Sequence, residues 1–110
     1  LRIERDGLDL RQRRDAERQH TLELADARSL VETTRAAWQA AVSGAASADR
    51  VLRVAQARHD VGRATLLELQ DARLTWQRAM ATRAQAARDR VIAEARAARI
   101  DRLPISPVQP

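Results

Sequence analysis

The segment Asp60-Val-Gly-Arg-Ala-Thr-Leu-Leu-Glu-Leu-Gln-Asp-Ala-Arg73 stops one helical pattern and starts another within a few residues. Gly62 is the residue type expected just past a helix C-terminus, where a left-handed conformation lets closing amides reach the last free carbonyls. Three residues on, Thr65 with Glu68 reads as a capping box, in which the Thr65 hydroxyl accepts from the Glu68 amide and the Glu68 carboxylate reaches back to the Thr65 amide. Ala64 and Leu69 take the flanking positions of a hydrophobic staple. Helix stop, turn and helix start are thus written in one short stretch, and a tight helical hairpin with its turn at 61–65 is expected.

The apolar residues on either side are of an unusual kind. They make up 45% of the 110-residue chain, but alanine dominates, Phe and Tyr are absent, and only Trp38 and Trp76 supply bulk. Small side chains suit helices that approach closely rather than a deep globular core. Ala, Arg, Leu, Glu and Gln raise helix propensity almost everywhere, and no alternating stretch suggests a strand. The expected fold class is all-α: a long antiparallel coiled-coil helical hairpin, with room for a short additional N-terminal helix.

From Leu24 onward, Leu24, Ala27, Val31, Thr34, Trp38, Ala41, Ala45, Ala48, Leu52 and Ala55 follow at spacings of three and four, a heptad seam. A second stripe of the same period runs beside it: Leu30, Thr33, Ala37, Ala40, Gly44, Ser47, Val51 and Val54. The returning helix carries Leu69, Ala72, Trp76, Ala79, Ala86, Ala93, Ala97 and Ile100 on one side, interrupted by Arg83 and Arg90. Leu67, Leu74, Ala81, Ala84, Val91, Ala95 and Ala98 lie on another. Each helix therefore has two small-residue faces, more than a two-helix hairpin can cover. Gly44 predicts a close helix crossing, because an exposed helical glycine costs roughly 1 kcal/mol against alanine. Trp38 and Trp76 are expected to fill the seam.

Residues 1–20 form a polar helical extension, solvated or fraying, with Gly7 as a break point. The hairpin proper occupies 21–103. Pro104 ends the second helix, and Pro107 and Pro110 make 104–110 an extended Pro-rich tail. With helix one starting at about residue 8 and spanning roughly 80 Å at 1.5 Å per residue, the first twenty or so residues are expected to overhang the partner helix.

Several functions find little support. The charge of +5 comes from arginine alone, and the arginines are spread among fifteen acids rather than gathered in a block, which argues against nucleic acid. There is no cysteine for disulfide or thiol chemistry. Glu17-Arg-Gln-His20 has the Glu-x-x-His spacing of di-iron bundles but lacks the second copy and further glutamates such a site needs. His59 has no partner ligand, and the serines lack a base constellation. No catalytic, cofactor or metal site is expected. The lack of a start methionine, a signal peptide and any apolar run near twenty residues suggests an excised or mature piece that does not itself cross a membrane as a helix.

The run Ala57-Arg-His-Asp-Val-Gly-Arg-Ala-Thr-Leu-Leu-Glu-Leu-Gln-Asp-Ala-Arg73 resembles the signature of TolC-like outer-membrane efflux proteins. There a helix ends in an Ala-Arg-Tyr-x-x-Gly-like segment and the return begins Leu-Leu-x-Leu-x-Asp-Ala. The resemblance is most specific across about 51–76. His59 stands at the family's tyrosine position and Gln70 at a usually apolar one, and the chain lacks the family's transmembrane strands and second repeat. The resemblance implies a C-terminal-half periplasmic hairpin of a trimeric duct, in the periplasm as part of an outer-membrane protein. The membrane would be reached only through parts absent from this chain. Val61, Gly62, Arg63, Ala64 and Thr65 would be the tip that docks periplasmic adaptor (membrane fusion protein) hairpins, with Arg63 as the polar contact at the aperture or adaptor. Self-association through the small-residue faces would build the wall. The alternative is a free-standing alanine-rich coiled-coil interaction module.

Overall fold

The computed structural model describes residues 2–102, with side chains from residue 4; the expected Pro-rich tail, 104–110, lies outside the described residues. Two helices account for almost all of them, α1 (Arg2–Asp60) and α2 (Leu66–Arg102). No strand is formed among the described residues. The chain is an all-α helical hairpin, as its heptad pattern requires. Both helices also suit their macrodipoles, with Glu4 and Glu68 in the first turns and Arg58, His59, Arg99 and Arg102 in the last.

The chain divides into two compact units, one of residues 33–91 and one combining 1–32 with 92–110. In the first, the antiparallel register is fixed by two side-chain contacts between the helices. Arg73 Nη2 donates to Gln56 Oε1 at 3.2 Å, and the Arg90 guanidinium lies 4.4 Å from the centre of a Trp38 ring. The core of this unit is a row of alanines, Ala41, Ala45, Ala48, Ala72 and Ala86, anchored near the turn by Leu69, which is only 2% exposed. In the second unit Ala27, Ala93 and Ile100 are buried, and Arg28 meets Asp101 at 3.8 Å across the two helices. Both partners of that ion pair are well exposed, so it marks register more than it stabilises.

Every residue of the predicted α1 seam, Leu24 through Ala55, is buried or half-buried, whereas every member of the parallel stripe from Leu30 to Val54 is exposed. Helix propensity and period thus placed both faces, and the hairpin covers only one of them. On α2 the predicted seam is likewise withdrawn from solvent, and the second face is exposed from Leu67 to Ala95, with Ala98 half-buried. Arg90, which interrupts the seam in sequence, belongs to it in space. The residue is half-buried and its guanidinium lies over the Trp38 ring, a contact worth about 0.5–2 kcal/mol depending on desolvation. Arg83 instead points to solvent.

Two expectations are corrected. The chain passes through Gly7 without a break, so α1 begins at Arg2 and no separate N-terminal helix exists among the described residues. One helical glycine in a long helix costs less than ending and renucleating the helix. The second correction concerns the turn. Gly44 lies on the uncovered stripe, where a Cβ would find nothing within 4 Å, and its neighbour Ala45 takes the buried place in the seam.

Replacing Leu69 with alanine should destabilise the hairpin by about 2–3 kcal/mol, the usual cost of emptying a large buried side chain. Leu22→Ala, at a position 61% exposed, should change stability by less than about 0.5 kcal/mol. Thermal unfolding followed by circular dichroism distinguishes the two.

Candidate functional site

The turn joins α1 to α2 through Val61–Thr65. Gly62 has a φ of 75°, the one left-handed residue among those described. Its amide donates to the His59 carbonyl at 3.0 Å, and the Arg63 amide reaches the Arg58 carbonyl at 2.7 Å. These two bonds are the paired closure of a Schellman motif, with Gly62 at the left-handed position. Helix α1 therefore ends with its last carbonyls satisfied by backbone.

Helix α2 starts on the Thr65 hydroxyl, which accepts from the Glu68 amide at 3.1 Å, while the Thr65 carbonyl takes the first helical bond from Leu69 at 3.2 Å. The expected return bond does not form: no hydrogen bond joins the Glu68 carboxylate to the Thr65 amide among the described residues. Glu68 is exposed and lines a groove together with Asp71 and Arg58. Only the threonine half of the capping box operates.

Two side chains of α1 complete the closure. Arg58 Nη2 donates to the Arg63 carbonyl at 3.1 Å. His59 Nδ1 sits 3.1 Å from the Ala64 carbonyl, which can only accept, so that nitrogen carries the proton. Behind them Gln56 joins both helices, donating to Asp60 Oδ1 at 2.9 Å and accepting from Arg73. Sequence reading gave His59 no partner and missed the role of Arg58. The available signal was the basic pair in the last turn, since such side chains often bond the carbonyls at a helix end.

All five predicted tip residues, Val61, Gly62, Arg63, Ala64 and Thr65, come together here. Val61, Gly62, Arg63 and Thr65 are exposed and Ala64 is half-buried. The Arg63 backbone is held at both its amide and its carbonyl, and its guanidinium has no bonding partner among the described residues. The turn thus offers one apolar and one cationic side chain on a fixed backbone. No group of three or more His, Cys, Asp or Glu residues converges to hold a metal among the described residues. None of the described helices is long and apolar enough to cross a membrane.

A second feature lies within the 33–91 unit. The exposed α1 stripe and the near side of α2 form a shallow apolar groove, of about 700 Å³ in its middle stretch, where Ala40, Gly44, Ser47 and Val51 face Thr75 and Thr82. It continues toward the turn past Val54 and Ala64, and away from it past Thr33 and Ala81. Set against known protein families, curated proteins and solved structures, the chain finds no match.

Gly62→Ala should cost about 1–2 kcal/mol, because a Cβ is strained in the left-handed conformation even with open space around it. Thr65→Ala should cost about 1 kcal/mol through loss of the cap, whereas Glu68→Gln, with no reciprocal bond to lose, should cost less than half of that. Urea unfolding of the three variants, with hydrogen exchange at the Glu68 amide, measures this ordering.

Proposed function

We propose that this chain is a helix-packing hairpin of the TolC-like kind, a periplasmic segment of an outer-membrane efflux duct. The paired helices contribute to the duct wall, and the turn Val61–Thr65 is the tip that docks a periplasmic adaptor. The observation that carries this reading is the turn. The motif from Ala57 to Arg73 that resembles the family signature coincides with a backbone fixed by the Schellman closure, the Thr65 cap and the Arg58 and His59 bonds. A docking tip needs such pre-organisation, because a partner that meets an already ordered loop spends no binding energy on ordering it. The wall function is supported by the uncovered α1 stripe, whose Ala, Gly and Ser residues suit a neighbouring helix at short distance.

At the position where the family has a tyrosine, the His59 imidazole is spent within the turn, donating to the Ala64 carbonyl. A second reading, a free-standing alanine-rich interaction module, is favoured by a different observation. The two sides of the 33–91 unit differ in kind, one a groove that is uncharged in its middle stretch and the other carrying the Asp49–Arg53 pair and the Gln56–Arg73 bond, and this asymmetry suits a specific pairing without any larger wall.

The test is the native context of the segment. An antibody raised against the turn peptide should detect a polypeptide several times larger than this chain in the outer-membrane fraction. A photo-crosslinker placed at Arg63 should then capture a periplasmic adaptor. A small product confined to the soluble fraction would overturn the duct reading in favour of the free-standing module.

A further inference from the structure

We propose that the end of α2 from Ile92 to Arg102 is a releasable strap over α1, latched by Ile100, and that it leaves α1 in one step while the 33–91 unit stays folded. The strap lies wholly in the unit that combines 1–32 with 92–110, and its release is independent of what the turn docks.

The hold of the strap is concentrated at its last turn. Ala93 and Ile100 are its buried residues, Ala97 and Ala98 are half-buried, and Ile92, its other large side chain, is 65% exposed. An alanine methyl removes little apolar surface from water and an isoleucine side chain several times more, so Ile100 supplies most of the grip. The Arg28–Asp101 contact at 3.8 Å sets Ala27 and Val31 of α1 alongside, the first buried and the second half-buried. Both charged partners are well exposed, so the pair aligns the helices without holding them firmly.

The order of the anchors makes release a single step. Just before the strap begins, the Arg90 guanidinium is seated on the Trp38 ring, and that contact belongs to the 33–91 unit. Between it and Ile100 the buried and half-buried apolar side chains of α2 are all alanine. Once Ile100 leaves its place, no intervening layer is strong enough to keep the end of α2 docked, and the strap lets go as far back as Arg90. About three turns of helix are freed, and without packing they are only marginally helical in water. The remainder of α2 is held by other means: Leu69 is 2% exposed, Arg73 bonds Gln56, and the Thr65 hydroxyl caps the first turn. Release therefore uncovers Ala27 and Val31 while the turn keeps its form. Local openings of this kind are drawn from the least packed part of a fold.

Native-state hydrogen exchange of the full 110-residue chain, followed by NMR at increasing low denaturant concentration, tests the strap. The amides of Ala97, Ala98, Arg99 and Ile100 should share one opening with a common protection, at least about tenfold below that of Ala72 to Thr82. Ile100→Ala should lower protection of the strap by a further tenfold or more and leave Ala72 to Thr82 unchanged. Ile92→Ala, made in the same strap at an exposed position, should leave both unchanged. Strap amides protected as well as Ala72 to Thr82, or no better than in an unfolded peptide, would overturn the proposal. So would protection that falls steadily from Ala97 to Arg102 with no shared step, which is ordinary fraying, or an Ile100→Ala effect felt equally along the whole of α2. None of these outcomes depends on the parent polypeptide or on an adaptor, so the duct reading stands or falls separately.

Discussion

The contact of two helices through alanine is the constraint on which the rest depends. Alanine in a seam brings backbones close but buries little surface, so each layer contributes little and the interface must be long to hold. Leu69, Trp38, Trp76 and Ile100 are the exceptions, and they are spaced along the hairpin rather than gathered into one core. A structure made of many weak layers depends on one shared register, because a shift by one residue would exchange the buried seam for a neighbouring row in every layer at once. The turn sets that register. Its Schellman closure and the Thr65 cap fix where each helix ends, and the Gln56–Arg73 and Trp38–Arg90 contacts keep the same pairing along the 33–91 unit.

Much of this was legible in the sequence, for a physical reason. Heptad spacing reports which side of a helix is buried without regard to the partner, so the seam from Leu24 to Ala55 and its α2 counterpart could be assigned residue by residue. Gly62 and Thr65 were legible because helix ends are governed by local backbone sterics and short-range hydrogen bonds. What escaped depends on longer side chains whose choice among several acceptors is not written in spacing. Arg58 and His59 turn toward loop carbonyls, Glu68 leaves the return bond of the cap unmade, and Arg90 folds over an indole rather than interrupting the seam. The residues of the turn were legible from helix-end chemistry, and the groove was foreshadowed only as a stripe with nothing to cover it.

The two sides of the 33–91 unit divide the labour of the surface. One carries charges that already have partners within the chain, at Asp49 and Arg53 or through Gln56 to Arg73, and loses nothing by facing water. The other is uncharged in its middle stretch and, toward the turn, is lined by Arg50 and Arg58 on α1 and by Glu68 and Asp71 on α2. Association surfaces and solvent surfaces are therefore separated by helix face rather than by position along the chain. The tip, with Val61 and Arg63 exposed on a fixed backbone, is a third and distinct surface.

The locality of the turn also bears on how the hairpin comes into being. Its closing bonds join residues no more than five apart, and the first contact between the helices, Gln56 with Arg73, spans seventeen residues. Each later layer lies about one helical turn further out on both strands of the hairpin and adds only a small increment of loop to what is already closed. The chain never has to search for a distant partner, since every new pairing is held at its threshold by the one before it. The topology favours rapid assembly as a zipper that starts at Gly62 and runs outward, with the kinetic barrier concentrated in the formation of the turn and its first layers.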